Sequence, residues 1–287
     1  MVLEKKKLNL KNPIVEVSIV YLLWLRVGII DEYKLYNLIL KIFRLKQNFL
    51  LNYILNADNI YYAFLFIVVI ILTCVMIFDS SFEDMGLKSN NINKEVKSLL
   101  KFIIIFIASF TLIAQLIGGY RLKFSYIIQT IITQFCFVAL VEESVFRGFI
   151  CNKLFKNVKS KKTLYIMFIV SAFLFSFMHL PSFLKSGVSI NFFQIINRLF
   201  NPFIMGIWFG IMYYSKKNLY ICILWHGAYN LIFSFVFGKI QSICYMIFII
   251  ISIIYLMKTI EQSTVKKDEI WYNKFTIYFE YLKNKWL

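Results

Sequence analysis

Histidine is nearly absent from this chain: 287 residues hold only two, His179 and His226. With so few, and with no HExxH, the zincin-type metal site is excluded. The five cysteines, Cys74, Cys136, Cys151, Cys222 and Cys244, form no CxxC pair. That removes zinc ribbons and disulfide frameworks, and leaves the cysteines as small apolar packing residues. No Asp-rich metal motif is present, which argues against polyprenyl-phosphate chemistry. No linker, low-complexity stretch or internal repeat divides the chain, so it reads as one unit. Acids are also scarce, 15 against 32 Lys and Arg, for a net charge of +17. No aromatic-basic motif accompanies that charge, so nucleic acid is not the expected partner. The lysines sit in loops and tails beside apolar runs, where they set topology and meet anionic lipid. The start, MVLEKKKLNLKNP, has a basic stretch, but no small-residue cleavage site follows it. An uncleaved, membrane-inserted protein is expected.

What is abundant is apolar residues. They make up 60% of the chain, 19% is aromatic, and the mean hydropathy is +0.70. A soluble domain sits nearer about 45–50% apolar. Apolar runs long enough to span a bilayer recur at 13–30, 60–78, 99–117, 125–150, 163–180, 192–214, 219–237 and 240–258. The expected fold is all-α: a polytopic transmembrane helical bundle of about eight spans, with a site inside the membrane between three or four helices. The first run is the weakest, since it holds Glu16 and Arg26. Residues 33–56 mix Leu, Ile and Phe with Lys41, Arg44 and Lys46, which suits an amphipathic helix on the membrane surface. Three regions follow: an N-terminal membrane region (1–98), a membrane core (99–260) and a polar, basic interfacial tail (261–287) bearing Trp271, Phe275, Tyr278 and Trp286. Five lysines between residues 151 and 162 fix that loop on the cytoplasmic side and place both termini there. Heavy use of Lys, Asn, Ile, Phe and Tyr is what an AT-rich coding sequence gives, which points to a bacterial plasma membrane.

Against this background, the stretch VALVEESVFRGFI stands apart. It puts Glu142, Glu143 and Arg147 in an apolar run. Each ionised group at such depth costs about 2.5–3.5 kcal/mol on insertion scales. Glu143 and Arg147 are spaced i,i+4 and share a helix face, so they can pair. Glu142 points about 100° away on an α-helix and is left to face a cavity. One carboxylate is thus held and one is left reactive, as a general base requires. The bland reading is a helix-locking network, but two acids against one base leave a surplus carboxylate. His179 closes the fifth run in FSFMHLP, one turn after Phe175. His226 lies in LWHGAYN, with Asn230 at i+4. A buried His–Asn pair can be a packing hydrogen bond. Gly227 and Ala228 allow a neighbour to approach closely under either reading. The two histidines and the paired glutamates fall on three different helices, the kind of set from which sites are assembled.

These motifs, EExxxR (Glu142, Glu143, Arg147), FxxxH (Phe175, His179) and HxxxN (His226, Asn230), resemble in order and spacing those of the CPBP group. That group comprises the CAAX proteases and bacteriocin-processing (Abi) intramembrane enzymes. The resemblance covers about residues 120–237. FEDMGLK (Phe82 to Lys88) is similar to the short acidic-to-Gly-Leu segment that often precedes the family core.

The resemblance implies peptide-bond hydrolysis inside the membrane. Glu142 with His179 would activate water, and His226 with Asn230 would stabilise the oxyanion. Arg147 would hold Glu143. A metal-free glutamate mechanism is favoured. If zinc takes part, Glu142, His179 and His226 are its ligand set. The expected partners are a peptide or membrane-protein substrate and the lipid bilayer, with the oligomeric state open. Bacteriocin or peptide maturation and self-immunity are the roles considered. Two other classes compete. Intramembrane Glu, His and Arg also mark transporters and proton relays, but no inverted repeat or matched pair of broken helices is found, and Pro202 interrupts only one run. A non-catalytic scaffold would not need intact motifs.

Overall fold

A computed structural model of the chain describes residues 12–43, 56–87, 92–118, 123–156, 158, 160–181, 192–235, 243, 246–255 and 257. The expectations for residues 44–55, Lys88, Cys244 and the tail 261–287 lie outside the described residues.

Every regular element among the described residues is helical. Helix α1 (Pro13–Val27) starts with Asn12, whose side chain accepts from the Ile14 amide, and with proline at the first helical position. Both are favourable starts, since the first amides of a helix lack internal partners. The chain then bends by 83° into α2 (Glu32–Ile42), capped by Asp31. Helix α2 buries none of its residues and leaves Tyr33, Leu38 and Ile42 exposed. Helix α2 covers the first part of the stretch 33–56. Helix α3 (Ala57–Ile77) is capped by Asn56 and widens to i→i+5 hydrogen bonding over Phe66–Ile77. Helix α4 is Lys94–Gly118 and α5 is Phe124–Phe155. Helices α6 (Lys161–Phe177), α7 (Phe192–Lys216), α8 (Leu219–Phe235) and α9 (Met246–Tyr255) complete the order. Helix α7 runs through Pro202.

The span count agrees with the eight expected only in part. Among the described residues, α3, α5 and α7 are long and apolar enough to cross a membrane. Helices α1 and α2 reach that length only if counted together across their bend, and α6, α8 and α9 are shorter apolar helices.

Two apolar cores form. One joins α4, α6, α7, α8 and α9 around Phe209, Met212, Trp225 and Phe248. The other joins α1, α3 and the end of α6 around Trp24, Val69, Phe146 and Phe175. Helix α5 contributes to both, Cys151 and Phe155 to the first and Val145, Phe146 and Phe149 to the second. Its polar residues therefore lie at the seam. Helices α6 and α7 meet closely at Gly206, where a Cβ would lie 2.7 Å from Ala172 Cα. Residues 82–87 wedge under α5 and α8. Met85 is buried against Gly148, and Gly86 turns with a φ of +87° against Tyr213 and Leu219. A side chain there would be strained by conformation as well as by space.

Candidate active site

Helix α5 is not uniform where it carries the motif. A four-residue α-helical stretch, Leu140–Glu143, lies between wider i→i+5 turns at Thr133–Ala139 and Ser144–Cys151. Such turns are rare and tend to occur at functional sites. Glu142, Glu143 and Arg147 are all buried there. Arg147 Nη1 donates to Glu143 Oε1 at 3.0 Å, the i,i+4 pair read from the sequence. Its Nη2 points at the Met205 and Gly206 carbonyls of α7, at 3.5 and 3.4 Å. The guanidinium lies 4.0 Å from the Phe175 ring centroid and 5.2 Å from that of Phe209. Arg147 therefore ties α5 to both α6 and α7, and its charge is balanced where water is absent.

His226 comes from α8. Its Nδ1 lies 2.7 Å from Glu143 Oε1, and its Nε2 lies 3.8 Å from Glu142 Oε2. With Glu143 Oε1 paired to Arg147, that oxygen is the acceptor and the His226 Nδ1–H the donor. In the neutral imidazole, Nε2 is then the free base, facing Glu142. In the cation, both nitrogens donate. The ring is fixed by stacking on Phe209 at 5.5 Å and by the edge of Phe175 at 6.0 Å. Gly227 makes room for this. A Cβ there would fall 2.3 Å from a Phe135 ring atom, so α8 and α5 cross where a side chain would not fit.

Glu142 has its two oxygens in different settings. Oε1 accepts from the Tyr62 hydroxyl of α3 at 2.9 Å. Oε2 is buried, meets no protein donor and faces His226. His179 is half-buried at the end of α6, with Nδ1 3.0 Å from the Phe175 carbonyl and its ring edge-on to Phe175 at 5.3 Å. It interacts electrostatically with Glu142 and His226. Phe175 thus contacts both histidines and Arg147. Asn230 lies one turn beyond His226, half-buried, and donates Nδ2 to Gln134 Oε1 at 2.8 Å. One of its two amide protons is committed to α5, and the other is not needed for that bond.

The structure therefore gathers Glu142, Glu143, Arg147, Phe175 and His226 into one buried cluster, with His179 and Asn230 at its edge. Sequence reading missed Tyr62, Gln134 and Phe209. Tyr62 is one of 18 tyrosines and sits in an apolar run, where nothing local marks it. An apolar cavity of about 680 Å³, lined by none of these residues, lies between α4, α5 and α8 against Ile103, Ile107, Phe124, Phe135, Leu224 and Leu231 among others.

A buried carboxylate–imidazole–guanidinium cluster at the seam of an apolar helical bundle defines the class: an integral membrane protein with a polar site among its helices. Residues 123–232 match the Rce1-like family, the type II CAAX prenyl endopeptidases. That stretch is similar to the CAAX proteases of the CPBP kind, and it contains every motif residue from Glu142 to Asn230. Neither the curated proteins nor the solved structures include a match to the chain.

Proposed function

We propose that this protein is an intramembrane endopeptidase in which Glu142 is the general base, acting on a peptide bond near the end of a membrane-associated or small peptide substrate. The observation that carries the reading is the pairing of Glu142 Oε2 with His226 Nε2 at 3.8 Å in a buried site, with Glu143 already neutralised by Arg147. Glu142 Oε2 takes a proton from water as the oxygen attacks the scissile carbonyl. The negative charge that develops on the carbonyl oxygen is met by N–H groups of protonated His226 and of Asn230. The proton held by Glu142 passes to the leaving amine as the C–N bond breaks. His179, half-buried beside Phe175, assists proton movement at the Glu142 side. Donors fixed in advance act most strongly where water is scarce. Glu143 orients His226 as a triad carboxylate orients its histidine.

Zinc chemistry requires three converging protein ligands and an open position. Glu142 and His226 approach each other closely enough to share an ion. Among the described residues, however, no group of three His, Cys, Asp or Glu side chains is arranged to hold a metal. His179 turns its Nδ1 to a backbone carbonyl. The metal-free reading is favoured, and zinc on Glu142, His179 and His226 is the alternative that metal analysis tests.

The test is cleavage of a quenched membrane-peptide substrate by the parent and by Glu142→Gln, with and without a strong chelator, alongside metal analysis. Expected are cleavage by the parent that survives chelation, and a folded Glu142→Gln protein without turnover. Equal turnover by Glu142→Gln would remove the base assignment. Near-stoichiometric zinc, lost with His226→Ala and required for activity, would replace the metal-free mechanism. Absence of cleavage with Glu142-dependent proton or solute flux would favour a transporter. Peptide maturation or self-immunity is the role proposed for the cleavage.

A further inference from the structure

Tyr62 lies outside residues 123–232, yet its hydroxyl reaches the carboxylate proposed as the base. Its helix is well fixed at that point. Asn56 caps α3 by accepting from the Asn59 amide at 2.8 Å, the Tyr61 ring packs edge-on to Tyr62 at 5.5 Å, and α2 packs against the first turns of α3. Glutamate has three rotatable bonds and no intrinsic reason to favour one oxygen over the other. In this site the Tyr62 bond occupies Oε1, so the oxygen turned toward His226 Nε2 is Oε2. The Arg147 cation, paired with Glu143 at 3.0 Å, lies further along the same helix. A second carboxylate drawn to Arg147 would leave His226 without the base opposite it.

We infer that Tyr62 is a positioning residue for the reaction. Its hydroxyl locks the Glu142 carboxylate with Oε2 presented to His226, so the N-terminal helices complete a site whose other parts lie within residues 123–232. The inference rests on the peptidase reading above. It differs from that reading in where the site ends: residues 123–232 alone, without α3, would hold Glu142 in no single orientation.

Tyr62→Phe in the full-length protein removes only the hydroxyl and keeps the ring contact with Tyr61. On the quenched membrane peptide, kcat should fall by about 10- to 100-fold, the usual cost of a misplaced reacting group. KM and melting temperature should stay at the parent values. A second measurement does not depend on cleavage. A lipophilic carbodiimide reacts with carboxyl groups inside a detergent-solubilised membrane protein, and peptide mass spectrometry maps the labelled sites. Glu142 should label several-fold faster in Tyr62→Phe than in the parent, while Glu143, held by Arg147, labels as before. Parent-like kcat together with parent-like labelling of Glu142 would overturn the assignment. So would a fall in kcat accompanied by a raised KM and a lowered melting temperature, which is the pattern of a purely structural tyrosine. If the parent cleaves nothing while Glu142 labelling still responds to Tyr62→Phe, the peptidase reading fails, and the Tyr62 assignment as a positioning residue for that reaction fails with it. If the parent cleaves but neither kcat nor labelling responds, only the Tyr62 inference fails.

Discussion

Replacing Arg147 with methionine strands Glu143 in the interior, and the structure sets the size of the effect. Arg147 is 1% exposed and Glu143 is fully buried, with the two 3.0 Å apart. Removing one partner of such a pair costs about 3–5 kcal/mol, because the buried Glu143 charge then keeps only its bond to His226 Nδ1 at 2.7 Å. The same guanidinium also lies 4.0 Å from the Phe175 ring centroid, a contact worth up to about 2 kcal/mol when desolvated. The two effects share one group and are not summed. Arg147→Met should therefore lower unfolding free energy by about 3–5 kcal/mol. The companion variant, Arg147→Met with Glu143→Leu, removes both charges. Buried pairs can often be exchanged for apolar residues of similar volume at little cost. Most of the lost stability should return. Activity should not, because Glu143 Oε1 is also the partner of His226 Nδ1 at 2.7 Å. The assay is equilibrium unfolding in detergent micelles, followed by tryptophan fluorescence, beside peptide cleavage. A single variant within about 0.5 kcal/mol of the parent would refute the burial argument. A double variant with parent turnover would refute the role of Glu143 in orienting His226.

Two further outcomes are expected. Gly206→Ala places a Cβ 2.7 Å from Ala172 Cα, where backbone has to move. It should cost about 1–3 kcal/mol and disturb Arg147, whose Nη2 faces the Gly206 carbonyl. Parent-like melting of Gly206→Ala would show that α6 and α7 part freely. Asp84 accepts from the Ser81 hydroxyl and amide, which hold its carboxyl below the ordinary carboxylate range. A depressed folded value stabilises the protein above the unfolded pKa of about 3.9, and that contribution fades as pH falls through the folded value. Melting measured against pH should thus fall less steeply on the acid side in Asp84→Asn, by a small amount because Asp84 is exposed. Identical acid slopes would remove this coupling.

The sequence by itself determined whatever depends on neighbours along one helix. Apolar runs placed helices at 60–78, 99–117, 125–150, 163–180, 192–214 and 219–237, since a helix in lipid needs an apolar length and little else. The i,i+4 spacing predicted the Glu143–Arg147 pair. Gly227 signalled a close approach without saying of what, and the partner proved to be Phe135. Tertiary structure alone decided how each helix is rotated and which helices face each other. It turned His226 toward Glu143 as well as Glu142, turned Asn230 to Gln134, and brought Tyr62 across from α3. It also set the 83° bend after α1 and the wider turns flanking the paired glutamates. The physical reason is range. Spacing on one helix is fixed by its pitch, whereas contacts between helices depend on how whole apolar faces pack, and a single tyrosine in an apolar run carries no mark of the partner it will find.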